Sequence, residues 1–360
     1  MSSPALGGRP ESPNPPAQED VTASDGPIPS RSGSSGDHGT ARSVLWVLER
    51  SGLPLILVAV LGFLAVDPRT SALFYGSANI VNLLGSQSVV GLVALGAVLP
   101  MVAGSFDLSV GAVAGFSSVA TAAALGPGHL GLPLAVVLGI VSGAAFGVFN
   151  GLLIAGARLN AFIVTLGVST ILPGLTLAYT QGNLVSSVNR PFINFGTGNL
   201  VSIPYTLFPL IVVAGLVWYF LRYTPPGRYL HAIGSNMEAA RLVGIPATRM
   251  VFLTFVLSGT LAGTAGVIQV ARSGSADATT GPGFLFPALT AVFLGATSIQ
   301  PGRYNVIGTM VGVFFLGVSE SGLALLGASS WVTPVFQGAA LLVAVALARL
   351  LAQRERYSTA

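Results

Sequence analysis

The 360-residue chain contains no cysteine and no lysine, and only 8% of it is charged. Each absence removes some chemistry. Without cysteine there is no disulfide framework, no thiolate metal site and no thiol nucleophile. Without lysine no G-x-x-x-x-G-K-[ST] phosphate loop can be formed, so nucleotide is not bound in that way. The three histidines, His38, His129 and His231, are scattered. None has a second histidine or a carboxylate at ligand spacing, which argues against a metal centre. H-E-x-x-H and G-x-S-x-G patterns are also missing.

The shortage of charge decides the class. Globular chains carry about 25% charged residues, because a water-facing surface must be polar. Here 52% of residues are hydrophobic and mean hydropathy is +0.77. All 16 basic residues are arginine. Eight charges, Glu11, Glu19, Asp20, Asp25, Asp37, Arg9, Arg31 and Arg42, fall in the first 42 residues. The expectation is an all-α polytopic membrane protein whose pI of 9.8 says nothing of nucleic acid.

Residues 1–42 hold seven prolines and almost no aliphatic side chains, too little apolar surface to fold. They lack the basic start and following hydrophobic run of a signal peptide, and are expected to be a disordered cytoplasmic tail. Residues 43–352 form the membrane domain, and 353–360 a short cytoplasmic C-terminal tail. Apolar stretches suited to a ~30 Å hydrocarbon core recur at 46–66, 85–104, 108–126, 130–156, 160–180, 204–222, 251–271, 284–299, 305–326 and 331–351. About ten helices follow, with a break or re-entrant segment at Gly104-Ser105-Phe106-Asp107. Residues 71–84, less apolar, are expected to lie along the interface.

Arginine placement tests this count. With the N-terminal tail inside and the spans alternating, eleven arginines (42, 50, 158, 222, 228, 241, 249, 303, 349, 354 and 356) fall at cytoplasmic ends. Only Arg69, Arg190 and Arg272 fall outside, the bias expected of the positive-inside rule. Both termini are therefore cytoplasmic. Glycine, at 46 residues, recurs every fourth position at Gly139, Gly143, Gly147 and Gly151. The pairs Gly111/Gly115, Gly259/Gly263 and Gly308/Gly312 repeat the interval. Such spacing lines one helix face and lets backbones approach closely; a face that slides and a face that is fixed both fit it.

The longest polar segment between spans is 223–250, on the cytoplasmic side. Ser235 and Glu238 have capping-box spacing, which predicts a helix over Asn236–Val243, about 12 Å long. Gly244 is placed for a left-handed cap, and Pro246 stops continuation. Met237, Ala239, Ala240 and Val243 give the helix a small apolar face suited to a groove on a cytosolic partner. A helix this short is marginal alone in water.

The segment GRYLHAIGSNMEAARLVGI (227–245) resembles the cytoplasmic coupling loop of ribose-type ABC sugar permeases, with its G-x-N-x-E-A-A-R-x-x-G-I pattern. The resemblance covers most of 76–348: GSFDLSVGAVAGF (104–116), GVFNGLLIA (147–155), FIVTLGVSTI (162–171), VLSGTLAGTAGVI (256–268) and LGATS (294–298) followed by Gly302-Arg303. It implies the permease of a bacterial inner-membrane importer, paired with a second permease subunit. ATPase subunits would bind ATP and Mg, and an external binding protein would deliver substrate. The permease itself would carry no cofactor and catalyse no reaction. Carried onto this chain, Glu238, Ala239, Ala240, Arg241 and Gly244 would meet the ATPase, with Ser235 as their cap. The sequence departs from the family at Leu285-Phe286-Pro287, where many members have an acidic Glu-Leu-Asp stretch, so ribose is not assumed as substrate.

Gln87, Ser88, Asp107 and Asn150 are the polar candidates for the translocation path. Asp107 is suited either to capping the following helix at Ser109–Val110 or to touching substrate. Asn150 is suited either to an interhelical bond or to sugar. Ion-coupled carriers keep ionisable groups near the midplane, and only Asp107 and Glu320 are available, which favours an external energy source. The readings are a monosaccharide or polyol ABC permease, a nucleoside or branched-chain amino acid ABC permease, and an autonomous secondary transporter.

Overall fold

The computed structural model describes residues 37–187 and 189–358. The chain divides into two units, Met1–Ser43 and Val44–Ala360, and every element from Ser51 onward belongs to the second. Residues 1–36 of the expected tail lie outside the described residues. From Asp37 the backbone is helical, as α1 (Asp37–Val66). There follow α2 (Ser71–Phe74), α3 (Ser77–Val102), α4 (Val110–Leu125) and α5 (Leu132–Gly151), the last extended by a π-helical turn at Leu152–Gly156. Next come α6 (Ala161–Thr180), α7 (Arg190–Thr197), α8 (Leu207–Tyr223), α9 (Pro225–Ser235) and α10 (Met237–Leu242). The chain ends with α11 (Ala247–Ser273), α12 (Leu285–Gly295), α13 (Val306–Leu325) and α14 (Val332–Ser358), which carries helix into the segment expected as a C-terminal tail. Among the described residues, strand is limited to two-residue pieces. Val185–Ser186 pairs antiparallel with Ser275–Ala276, and Asn199–Leu200 with Ile203–Pro204.

Each of the ten apolar stretches falls on a helix. Among the described residues, six helices are long and apolar enough to cross a bilayer, or seven if α8 and α9 count as one span bent by 72°. The shorter apolar helices are Ser51–Val66, Val110–Leu125 and Pro282–Gly295, of 10–17 residues each, below the ~20 that a ~30 Å core requires. The break at Gly104–Asp107 is present. Gly104 takes a φ of +78°, and its amide and that of Ser105 turn back to the carbonyls of Met101 and Pro100. The segment 71–84 differs from expectation. After α2, Tyr75 and Gly76 make a turn, and Ser77 onward is already the first turns of α3.

α3 and α11 form the centre. Of their most apolar windows, 83% and 61% are buried, against 6% for α14. The pattern is the reverse of a soluble protein. Gly139, Gly143 and Gly147 are buried on α5, while Leu134, Val137 and Val141 on its other side are exposed. Leu, Ile and Val likewise face outward on α6 and α8. A helix that hides its glycines and displays its large aliphatics has lipid for a solvent. The protein is a multi-pass, all-α membrane protein.

Candidate functional site

The segment between α8 and α11 is two helices, not one. Thr224 accepts from the Gly227 amide at 3.3 Å, and Pro225 and Pro226 open α9, where a missing N–H costs nothing. α9 packs back on the body through Leu230 and Ile233, which are 1% and 2% exposed. Its last glycine, Gly234, lies against the Val102 carbonyl at the end of α3, so closely that a Cβ there would clash with it. The Gly104 turn is on the same spot, within reach of the Gly234 Cα. The end of α9 is thereby seated on the break in the α3–α4 chain.

α10 follows after one residue. Asn236, not Ser235, is its cap, accepting from the Ala239 amide at 3.0 Å; Ser235 is already used as the last residue of α9. At the far end Gly244 has φ +83°. Its amide donates to Arg241 O and that of Ile245 to Ala240 O, both at 3.0 Å, the paired bonds of a Schellman motif. The helix is therefore six residues, about 9 Å, with both ends fixed. Glu238 and Arg241 form an ion pair at 3.0 Å with side chains 80% and 41% exposed. Ala240 faces the other way, 3% exposed, so it anchors α10 to the body and does not belong to the outward face. Leu242 and Val243 do, at 88% and 77% exposed; of these two, the sequence pattern singles out only Val243.

The path candidates separate into two groups. Asp107 is 3% exposed and Asn150 1%. The Asp107 carboxylate accepts from the Ser109 amide at 2.9 Å, the Ser109 hydroxyl at 2.6 Å and the Ser258 hydroxyl at 2.8 Å. Asn150 Nδ2 donates to Ser109 Oγ at 2.8 Å. The network ties α5, α11 and the start of α4 together around the break. Asp107 acts through Ser109, which is itself the first residue before α4, so the carboxylate is a cross-brace and not the helix cap. Among the described residues, Asn150 Oδ1 is buried without a hydrogen-bond partner. Gln87 and Ser88 lie elsewhere, some fifteen residues or about 22 Å back along α3. The Gln87 side chain packs on Gly317 of α13, and Ser88 Oγ donates to Leu84 O at 2.7 Å. No single site unites the four.

Replacing Asp107 with Ala would strip three buried donors of their acceptor, and each group left unsatisfied costs about 1–3 kcal/mol. We expect a clearly lowered thermal unfolding midpoint in detergent, with Asp107→Asn, which keeps one acceptor oxygen, much closer to the parent. Equal midpoints for Ala and Asn would remove the bracing role.

At the other end of the molecule, Arg272 reaches from α11 to Asn82 O and Oδ1 at 3.3 Å and Ser86 Oγ at 3.1 Å on α3. Glu320 accepts from Gln337 Nε2 at 2.7 Å, joining α13 to α14. In the turn before α12, partial desolvation pushes the Asp277 carboxyl up, but amide and hydroxyl bonds from Thr279 and Thr280 outweigh it and hold the group below its ordinary range. That turn brings Gly281 against Gly115 of α4. Among the described residues there is no cluster of three or more metal-ligating side chains.

Residues 79–345 match the family described as branched-chain amino acid transport system / permease component. The ribose import permease protein RbsC of Escherichia coli strain K12 is 34% identical over 307 residues, covering 83% of this chain and 93% of that one. The Bacillus subtilis strain 168 ribose import permease protein RbsC is 39% identical over 273 residues, 75% of this chain and 84% of that one. The D-allose transport system permease protein AlsC of Escherichia coli strain K12 is 30% identical over 298 residues, 83% and 90%. No solved structure matches.

Proposed function

The chain belongs to the branched-chain amino acid transport system / permease component family, and from that premise we propose that it is the membrane-spanning permease subunit of an ATP-driven importer for a monosaccharide. Its relatives are named for sugars, among them ribose, D-allose, L-arabinose and fructose. The substrate class is accordingly a simple sugar or related polyol, delivered by an external binding protein. It is a transport subunit and no enzyme. ATP and Mg belong to partner ATPase chains, and a second permease subunit completes the pore in a bacterial inner membrane.

The observation that carries the mechanism is α10, a helix of six residues capped at both ends and presenting Glu238, Arg241, Leu242 and Val243 outward. It is the docking element for the ATPase. Closure of the ATPase dimer displaces α10. The α9 helix, attached through Asn236 alone, transmits that displacement to the Gly104 break, where Asp107, Ser109, Asn150 and Ser258 hold three elements in one network. The side of the pore that is open changes as that network shifts.

The reading keeps ten crossings with both termini inside, counting the three shorter apolar helices with the six or seven long ones. Arg222, Arg228 and Arg303, all assigned to the cytoplasm, line one cleft. Val185–Ser186 and Ser275–Ala276, both assigned outside, pair with each other. Each pairing supports the alternation.

Glu238→Ala is expected to weaken co-purification of the ATPase by about tenfold, roughly 1.4 kcal/mol, without altering membrane insertion. Undiminished ATPase recovery would remove Glu238 from the docking face. Reconstitution of the permease alone tests the function itself: sugar uptake driven only by an ion gradient, with no ATPase or binding protein, would replace the importer by a secondary transporter.

A further inference from the structure

An apolar groove of about 580 Å³ runs between α12 and α14. Leu289 and Phe293 form its α12 wall and Leu341, Leu342 and Val345 its α14 wall, with Arg349 at one end. These α14 residues fall at i, i+1, i+4 and i+8, one stripe of the helix. From Leu341 to Arg349 the stripe is about 12 Å long. Neither α12 nor the span Val332–Leu351 contains an acidic residue. Among the described residues, none accepts a hydrogen bond from Arg349 or pairs with its charge. The groove is thus greasy along its length and cationic at its end.

A second observation fixes the depth of the groove. Trp331, 65% exposed, stands at the opposite end of α14, and tryptophan gathers at the headgroup level of a bilayer. From Val332 to Arg349 the helix rises about 26 Å, close to the ~30 Å hydrocarbon core. Trp331 therefore marks one headgroup layer and Arg349 the other. Measured inward from Arg349, a groove of about 12 Å occupies a single leaflet. A second copy seated on this stripe by two-fold symmetry would set two Arg349 groups at one depth, with no acid on either helix to part them. A lipid meets both features favourably, with a chain for the groove and a phosphate for the arginine.

We propose that this groove holds one phospholipid with an anionic headgroup, its acyl chain against Leu341, Leu342 and Val345 and its phosphate on Arg349. The guanidinium fork matches phosphate oxygens. The far wall carries the site inward, because the Phe293 ring stacks on that of Phe106, centroids 6.3 Å apart. Phe106 adjoins Asp107 in the break between α3 and α4. A chain filling the groove thus backs the ring pair beside that break. The proposal goes beyond the import reading, and depends neither on the sugar carried nor on which leaflet is cytoplasmic.

The test uses the full chain in phosphatidylcholine nanodiscs, with Trp46, Trp218 and Trp331 each changed to Phe so that no native tryptophan remains. Leu342→Trp supplies a reporter at an exposed position, about 10 Å along the helix from Arg349. Val343→Trp, exposed but outside the groove, is the matched reporter. Phosphatidylglycerol or phosphatidylcholine brominated at mid-chain is added at equal mole fraction, and tryptophan quenching is read. The expected result is a preference of about fivefold for the anionic lipid at Leu342→Trp, with little at Val343→Trp. Arg349→Gln should abolish the preference and Arg349→Lys should keep it. Equal quenching by the two lipids at Leu342→Trp overturns the proposal, as does an unchanged preference in Arg349→Gln. The same preference at both reporters also overturns it, since that is general attraction to the surface. Quenching by neither lipid would give the groove to a protein partner. Should the tryptophan-free chain not fold, native mass spectrometry of the parental chain and of Arg349→Gln reads the preference instead, expected in the first and lost in the second.

Discussion

Gly143→Leu is expected to eliminate folded protein from the membrane, while Gly167→Leu is expected to leave it at the parental level. Both are helical glycines in apolar spans, so composition alone does not distinguish them. Gly143 lies where α5 crosses α11, and a Cβ on it would sit 2.7 Å from Gly263 Cα and 2.8 Å from Gly263 N. Gly259 and Gly147 make the reciprocal approach, with 2.8 Å from a Gly259 Cβ to Gly147 Cα and N. These neighbours are backbone, which cannot turn aside as a side chain can. Gly167 on α6 has nothing within 4 Å of its Cβ direction. Overpacking a tight interior costs about 1–3 kcal/mol, occasionally more, and a whole isobutyl group against two backbones lies at the high end. At 1.4 kcal/mol per tenfold, about 3 kcal/mol lowers the native population on the order of 100-fold. The readout is monodisperse protein on size-exclusion chromatography of detergent-solubilised membranes. Gly143→Ala should fall between the two. A face that slides during transport would instead show normal assembly with slowed uptake. Contact through backbone on both helices identifies α5 and α11 as one rigid body, and parental levels of Gly143→Leu would end that reading.

How much of this was legible beforehand depends on whether the signal was local. The ten apolar stretches were readable because lipid demands continuous length, and each falls on a helix. The Gly244 cap was readable because Gly followed by Ile-Pro leaves little choice of conformation. The N-terminal cap falls one residue later than the sequence predicts. Ser235 and Asn236 are both good caps, and the Ser-x-x-Glu spacing favoured the first; only α9, which ends on Ser235, decides for the second. α9 is hard to see in sequence because Gly227 and Gly234 weaken its helical pattern, although Thr224-Pro225-Pro226 is a legible helix start. The sequence pattern puts Ala240 on the outward face because a six-residue helix has too few positions for periodicity to show which side is buried. The bonding of Asp107 to Ser258, 151 positions away, has no local signal. Gln87 and Asn150 looked alike in sequence as polar interruptions, yet one fills space beside Gly317 and the other braces the break.

Gly234→Val is expected to leave ATPase binding and ATP hydrolysis in place while cutting sugar uptake per ATP by tenfold or more, an order-of-magnitude loss worth about 1.4 kcal/mol of coupling. The argument starts from α9 itself. Valine is a somewhat better helix former than glycine, so the substitution does not weaken the helix that carries α10. Nor does it touch Glu238, Arg241, Leu242 or Val243, the exposed residues proposed to dock the ATPase. It acts only where α9 meets α3. An added side chain at Gly234 runs into the Val102 carbonyl and crowds the Gly104 amide, so α9 must lift from the end of α3. What gives way is the junction between the coupling segment and the break braced by Asp107. A displaced α10 would then move without moving the break. Gly215→Val on α8, with nothing within 4 Å, is the matched control and should transport normally. Uptake and hydrolysis are measured together in proteoliposomes containing the ATPase and binding protein. Parental uptake per ATP in Gly234→Val would shift the relay to the other exit from α10, through Ile245 and Ala247 into α11. Loss of ATPase binding would make Gly234 a part of docking. Only hydrolysis without transport assigns to this one glycine the step between the ATPase and the pore.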